Sequence, residues 1–241
     1  MSSVAMHMSD GLINAPVSAL FGAVAVLGVT VAGARARRDL DERMAPMAGL
    51  VAAFIFAVQM LNFPVLPGVS GHLLGGALAA ILVGPWVGAL CITIVLVLQS
   101  LVFADGGLTA LGSNITNMAL IGTVIGFLVA LALRGVAARG KAGLLAVAFV
   151  AAFCNTVAAS AGFVLQFALG GDAAFSTGAV GVTVLGVHCL IGIGEGIITA
   201  LTVAAVAAVR PDLVYLLRGT ERPLELRTVP VQAAWVRGGT K

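Results

Sequence analysis

Residues 180–209 read VGVTVLGVHCLIGIGEGIITALTVAAVAAV, and residues 143–169 read GLLAVAFVAAFCNTVAASAGFVLQFAL. The only charged side chain in either run is Glu195. A helix that crosses a lipid bilayer needs about 20 consecutive, mainly apolar residues, and both runs exceed that length. These two stretches therefore predict membrane-spanning helices and set the class of the whole chain.

The composition of the rest of the chain agrees with a membrane protein. Of the 241 residues, 60% are hydrophobic and 10% are charged, and the mean hydropathy is +1.12. A soluble domain carries about 25% charged residues, so a water-soluble globule is excluded. Apolar runs between helix breakers predict an all-α integral membrane protein with about seven transmembrane helices. They lie at about 13–33, 46–63, 71–84, 86–104, 111–133, 143–169 and 180–209.

The distribution of basic residues predicts the orientation of the chain. With the amino terminus outside and seven spans, all 13 Lys and Arg lie on the cytoplasmic side, including those of the carboxyl-terminal tail. The loops predicted to lie outside contain Asp10, Asp105 and Asp172 and no basic residue, so they favour cations. The net charge of +3 is thus an orientation signal, and no nucleic-acid partner is expected.

We divide the sequence into three parts. Residues 1–5 form an amino-terminal extension, residues 6–210 a transmembrane domain, and residues 211–241 a cytoplasmic tail. The expected location is the cell membrane, with lipid around the helices. The basic cluster follows the first span rather than preceding it, so this span is expected to be retained and not cleaved as a signal peptide.

The three histidines are the first candidates for a functional site. His7 precedes the first span, His72 begins the third, and His188 lies about 12 Å below the outer end of the last. All three can point into one cavity on the outer side. Imidazole nitrogens suit nickel, cobalt, copper and zinc better than magnesium or calcium. Spacing alone leaves two interpretations open: a metal site, or histidines that are simply solvated.

A few other polar side chains lie within predicted spans. Glu195 shares a helical face with His188 and is the only carboxylate inside a span. The pair could support a metal site or relay a cation, or it could join helices through hydrogen bonds with Glu195 protonated. Asn114 and Asn117 in the fifth span are open to the same two interpretations, support of a site or interhelical hydrogen bonding.

Four blocks of the sequence carry a family resemblance. They are MHMSDGLI at Met6–Ile13, SGHLLGGALAAILVGPW at Ser70–Trp86, FADGGLTALGSNITNMALIG at Phe103–Gly122 and HCLIGIGEGIITAL at His188–Leu201. In this order the blocks resemble the CbiM/NikM family. Its members are the substrate-capture membrane components of energy-coupling-factor (ECF) transporters for cobalt and nickel.

The resemblance implies a six-helix substrate-component fold with one extra amino-terminal helix. It implies a metal site built from the free amine of an initiator methionine, the amide and imidazole of the next histidine, and the histidine of the SGH block. These positions map to Met6, His7 and His72. An amine, an amide and imidazoles form a nitrogen set suited to Ni²⁺ or Co²⁺, which would be the transported substrate. No intrinsic cofactor is implied.

The resemblance also implies partners. The family works with a transmembrane coupling subunit, two ATPase subunits and, commonly, a small accessory membrane subunit. The chain has no nucleotide motif of its own, because GVAARGKA at Gly135–Ala142 ends in Ala142 where a phosphate-binding loop has Ser or Thr. We therefore expect a transporter component without an ATPase site, not an enzyme.

The sequence departs from the family pattern at its start. Met1-Ser-Ser-Val-Ala precede Met6, so His7 has no free amine beside it. Translation could begin at Met6, the extension could be trimmed, or metal could be bound by other ligands. Asp10, close behind His7, could accept a hydrogen bond from an imidazole or cap the first helix.

Two other functions fit the residues as alternatives. One is a self-sufficient cation-coupled metal transporter that uses His188 and Glu195 as its relay. The other is an intramembrane enzyme with a histidine-bound metal, for which Glu195 is the only deep candidate base.

Overall fold

The structure is a computed structural model that describes residues 7–40, 44–60, 63–66 and 69–219. Its helices are α1 (Ala15–Asp39), α2 (Met44–Gln59), α3 (Gly76–Val83), α4 (Pro85–Val102), α5 (Leu111–Ala132), α6 (Arg134–Ala137), α7 (Lys141–Gly170) and α8 (Thr177–Val209). Two short strands, β1 (Phe63–Leu66) and β2 (Val69–Gly71), pair antiparallel between α2 and α3. The nearly all-helical architecture expected from the sequence is confirmed.

Five of these helices, α1, α4, α5, α7 and α8, are long and apolar enough to cross a membrane. Helix α2 is apolar but has only 16 residues. Each of these six helices lies within a few residues of a predicted span. The count of seven membrane spans and the orientation of the chain in the membrane remain predictions.

The third predicted span, 71–84, takes a different form. Its helical part is α3, which has eight residues and a length of about 12 Å, too short to cross the hydrocarbon core of about 30 Å alone. The first part of the span is strand β2 and a non-helical segment that leads into α3. All eight residues of α3 are buried, so this helix lies inside the protein and not against lipid.

Small residues allow the helices around α3 to approach closely. A Cβ atom added at Gly126 of α5 would lie 2.8 Å from the Cβ of Ala77 in α3. Added at Gly192 of α8, it would lie 3.0 Å from the ring of Phe153 in α7. The small residue at Gly126 therefore lets α5 lie directly against α3.

The turn between α3 and α4 lies at the opposite end of α3 from His72. Gly84 there has φ +88° and ψ 161°, a conformation essentially restricted to glycine. Tyr215, in a short turn after α8, packs on this glycine, and Arg35 stacks over Trp86 at a distance of 5.5 Å. The described part of the tail, residues 211–219, thus packs on this end, and residues 220–241 lie outside the described residues.

We predict that Gly84→Ala destabilises the protein. The added Cβ would meet the Tyr215 ring at 2.8 Å and would force an L side chain into the φ +88° conformation. Such a conformation costs about 1–3 kcal/mol, which corresponds to a fall in Tm of several degrees. Thermal unfolding in detergent measures the effect.

Gly33→Ala is the matched control for this experiment. Gly33 lies in α1, and an added Cβ there meets no atom within 4 Å. We expect an unchanged or slightly higher Tm, because alanine has the better helix propensity. Equal stability of the two variants would contradict the assigned role of Gly84.

Candidate metal centre

The amino-terminal segment is anchored by its backbone at the end of the bundle where α5 begins. The Asn114 side chain of α5 accepts a hydrogen bond from the Met8 N–H at 2.9 Å and donates one to the Met8 carbonyl at 3.2 Å. The N–H of Gly107 donates to the same carbonyl at 3.0 Å. Met8 is fully buried and His7 is 2% exposed, so this loop segment is fixed within the protein.

A tight loop after α4 carries Asp105 to this segment. Ala104 has φ +52° and Gly106 has φ +84°, and the Asp105 N–H donates to the Gln99 carbonyl of α4 at 3.1 Å. A Cβ added at Gly106 would lie 2.8 Å from the Cβ of His7. Glycine at this position therefore lets the loop backbone lie directly on His7.

His72 reaches the same place from the segment that precedes α3. Its Nδ1 lies 2.8 Å from the carbonyl oxygen of Leu73, so Nδ1 carries the hydrogen and donates it. In this tautomer Nε2 is unprotonated. Its lone pair is therefore the one that can bind a metal. The side chain is 1% exposed.

These three segments bring His7, His72 and Asp105 together. The ligand atoms of the three side chains all lie within 4.8 Å of one another. Nδ1 of His7 is 3.1 Å from an oxygen of Asp105, and the two imidazole rings are 4.6 Å apart at their centroids. Contact with His7 keeps the pKa of the Asp105 carboxyl below its usual range. Two imidazoles and a carboxylate form a set that suits a divalent transition metal.

The other predicted site residues lie elsewhere around this cluster. Met6 is outside the described residues. The Asp10 carboxylate accepts hydrogen bonds from the N–H and hydroxyl of Thr109, at 2.8 and 2.5 Å, and these lower its pKa. The helix cap of α1 is instead Asn14, whose side chain accepts from the Val17 N–H. The carboxylate next to an imidazole is therefore that of Asp105 and not that of Asp10.

Asn117 and His188 lie near the cluster without joining it. Asn117 forms a reciprocal amide pair with Gln166 of α7, with hydrogen bonds of 3.0 and 2.9 Å. Nδ1 of His188 lies 2.6 Å from the Val184 carbonyl. Both residues line a small cavity together with Asn114 and Leu74. This cavity borders the segment that carries His72.

Glu195 is the most heavily bonded polar side chain near the site. It is 1% exposed, and its carboxylate accepts from the N–H groups of Leu74 and Gly75, the amide of Asn155 and the hydroxyl of Thr156. The two N–H groups and the Asn155 amide donate to it, while the single hydrogen of the Thr156 hydroxyl is shared between Oε2, at 2.8 Å, and the Ala152 carbonyl, at 3.0 Å. Glu195 therefore joins α7 and α8 to the segment that leads from His72 into α3.

From the sequence alone, Asp105 is only one of three acidic residues in loops predicted to lie outside. Its position was marked by the pattern FADGG, a carboxylate between a predicted span and two glycines. A tight loop at the end of a span can turn its side chain inward. Which residues it would face depends on tertiary contacts that no local pattern encodes.

The family model for CbiM, described as the cobalt uptake substrate-specific transmembrane region, matches residues 7–213. The chain belongs to the CbiM family. A fused NikMN protein of Archaeoglobus fulgidus, named for nickel transport, is 39% identical over 216 residues, which cover 87% of this chain and 68% of the relative. The cobalt transport protein CbiM of Sorangium cellulosum is 33% identical over 86% of this chain and 94% of its own length.

Solved structures agree with this family assignment. The crystal structure of a transition metal transporter superposes with a TM-score of 0.74 at 27% sequence identity. The match covers 88% of this CbiM-family chain and all of the solved chain. The resemblance stated from the four sequence blocks is confirmed.

We predict that Asn114→Ala loosens the amino-terminal segment. The substitution removes both side-chain hydrogen bonds to Met8, each worth about 1 kcal/mol. Hydrogen exchange of the backbone around Met8 should become about 10-fold faster or more, because 1.4 kcal/mol corresponds to a factor of 10. Peptide-resolved exchange with mass spectrometry measures the change.

Thr116→Val provides the comparison on the same helix. The Thr116 hydroxyl donates to the Phe21 carbonyl of α1 and makes no hydrogen bond to the described amino-terminal residues 7–14. Exchange around Met8 should therefore stay at the wild-type rate. An equal acceleration in both variants would mean that Asn114 acts only through general stability.

Proposed function

We propose that this protein captures Ni²⁺ or Co²⁺ from the outer side of the cell membrane for transport into the cell. The observation that carries the proposal is the convergence of His7, His72 and Asp105, whose ligand atoms lie within 4.8 Å of one another in a CbiM-family fold. The names of relatives, which refer to nickel and to cobalt transport, support the same substrate class. Nickel and cobalt accept the same ligand set.

The ligands in this proposal come from three segments of the chain. His7, His72 and Asp105 supply two imidazoles and a carboxylate, and Met6 would add its amine where the chain begins at that residue. The near-complete burial of both histidines supports capture of a dehydrated ion, since a metal bound there exchanges most of its water for protein ligands.

The energy for transport would come from partner proteins. We infer that the chain works with an ECF transmembrane coupling subunit, two ATPase subunits and a small accessory membrane subunit. Five long apolar helices fit a multi-pass membrane subunit, and the sequence has no phosphate-binding loop of its own. The basic residues Arg35, Arg134 and Arg218 lie near the α3–α4 turn, which supports a cytoplasmic position for that end.

The contacts of Glu195 argue against the self-sufficient alternative. A proton relay through His188 and Glu195 needs a carboxylate that can exchange its partners. Each oxygen of Glu195 instead accepts two hydrogen bonds from protein groups. A structural role accounts for these contacts more simply than a relay does.

Metal binding to the purified protein tests the proposal. We expect about one Ni²⁺ or Co²⁺ per chain, and a loss of affinity of at least 100-fold in His72→Ala and His7→Ala because each removes a ligand. Asp105→Asn should weaken binding less, since the amide oxygen remains a poor ligand. Titration calorimetry with each metal measures these affinities.

The control for this experiment is His188→Ala, which should bind metal like the wild-type protein. Protein started at Met6 should bind more tightly than protein started at Met1 if the amino-terminal amine is a ligand, and intact mass verifies each terminus. Equal binding by both forms would discard that amine while retaining the side-chain site. Absence of tight binding by either folded form would contradict metal capture.

Transport by cells tests the need for partners. Cells that express this chain alone should accumulate no more ⁶³Ni²⁺ than control cells, whereas co-expression with the coupling and ATPase subunits should restore uptake. Uptake by the chain alone, driven by a proton gradient and lost in Glu195→Gln, would instead support the self-sufficient transporter.

A further inference from the structure

The segment Leu73–Gly75 contains two successive peptide groups whose N–H groups both donate to the carboxylate of Glu195. In the first, the Leu74 N–H donates to Oε2 of Glu195 at 2.8 Å. In the second, the Gly75 N–H donates to Oε1 of the same carboxylate at 3.0 Å. One buried carboxylate therefore binds two consecutive backbone N–H groups just before α3 begins.

The carbonyl groups of these two peptides have different partners. The Leu74 carbonyl accepts the side-chain amide of Gln59 at 2.7 Å. The Leu73 carbonyl accepts Nδ1–H of His72 at 2.8 Å. The Leu73 carbonyl and the Leu74 N–H belong to one planar peptide unit. A continuous hydrogen-bonded path thus runs from His72 through this peptide group to the Glu195 carboxylate.

This path acts on His72 in the same direction as a direct carboxylate–histidine contact, through one intervening peptide group. Metal-binding histidines commonly donate their second N–H to a carboxylate or a carbonyl, which fixes the tautomer and strengthens the metal-binding nitrogen. Hydrogen bonds in a chain polarise one another, more so in an apolar interior. A negative charge on the N–H side of the peptide makes its carbonyl a stronger acceptor for His72.

We propose that Glu195 is a positioning residue for the metal site, acting on His72 through the Leu73–Leu74 peptide group. It holds the hydrogen on Nδ1 of His72 and presents Nε2 to the metal. This inference rests on the proposed function and deepens it. Glu195 does not contact the metal.

The burial of the path supports this role over simple helix packing. Glu195, His72 and Gln59 are at most 1% exposed, so water does not screen the carboxylate from the peptide. Asn155 and Thr156 of α7 fill the remaining acceptor positions of Glu195, at 2.9 and 2.8 Å, and fix its orientation. A helix-packing role needs these two bonds but does not need both peptide N–H groups beside His72.

The test compares imidazole ¹⁵N spectra of metal-free protein in lipid nanodiscs. The chain has only three histidines, and His72→Gln identifies the His72 signals. In the wild-type protein we expect His72 to carry its hydrogen on Nδ1. In Glu195→Gln, which keeps the shape but removes the charge and replaces one acceptor oxygen by a donor NH2 group, the Nε2–H form should increase, and Ni²⁺ affinity should fall about tenfold, the lower end of the effect for such outer partners.

Gln59→Met is the matched control, because Gln59 holds the neighbouring peptide group without a charge and without a link to His72. It should lower Tm and leave the His72 tautomer as in wild type. An unchanged tautomer in folded Glu195→Gln, or an equal change in Gln59→Met, would overturn the proposal.

The outcomes separate this inference from the proposed function. Absence of Ni²⁺ binding by the wild-type protein contradicts metal capture, whereas the metal-free spectra test the path independently. If Glu195→Gln yields no folded protein, the wild-type spectrum still decides: Nδ1–H on His72 supports the path and Nε2–H overturns it.

Discussion

Four hydrogen bonds to the buried carboxylate of Glu195 hold a non-helical segment inside a bundle of apolar helices. In such surroundings an unpaired backbone N–H or carbonyl costs several kcal/mol, so irregular backbone occurs only where protein groups satisfy it. Glu195 and Gln59 satisfy the peptide groups of Leu73–Gly75. The chain can therefore leave strand β2 and place His72 beside His7 and Asp105 before α3 begins.

The short buried helix α3 depends on the same constraint. Its eight residues give it too little length to cross a bilayer and too few internal hydrogen bonds to be stable alone. Its stability comes from the surrounding helices, which approach it closely where they carry small residues such as Gly126. The carboxylate of Glu195 also lies at the amino-terminal end of α3, where the helix dipole favours negative charge.

The candidate metal centre is assembled from loops that rest on this rigid interior. His7 is held by the contacts of Met8 with Asn114, Asp105 by a turn after α4, and His72 by the path to Glu195. Each ligand therefore comes from a different part of the chain and has its own support. Such an arrangement keeps the donor atoms in place before metal arrives, which reduces the conformational entropy lost on binding.

The sequence by itself determined the class of fold, because runs of apolar residues long enough to span a bilayer can form only helices there. It also determined the boundary between α3 and α4, the family, and His7 and His72 as candidate ligands, which the structure brings together. It did not reveal that α3 is short and lies inside the protein, because a run of apolar residues has the same composition whether protein or lipid surrounds it. Nor did it place Asp105 beside His7, or the Glu195 carboxylate against the N–H groups of Leu74 and Gly75. Only the tertiary structure decided these points, because a carboxylate takes its role from the donors that the fold brings to it, and those donors lie far away in the sequence.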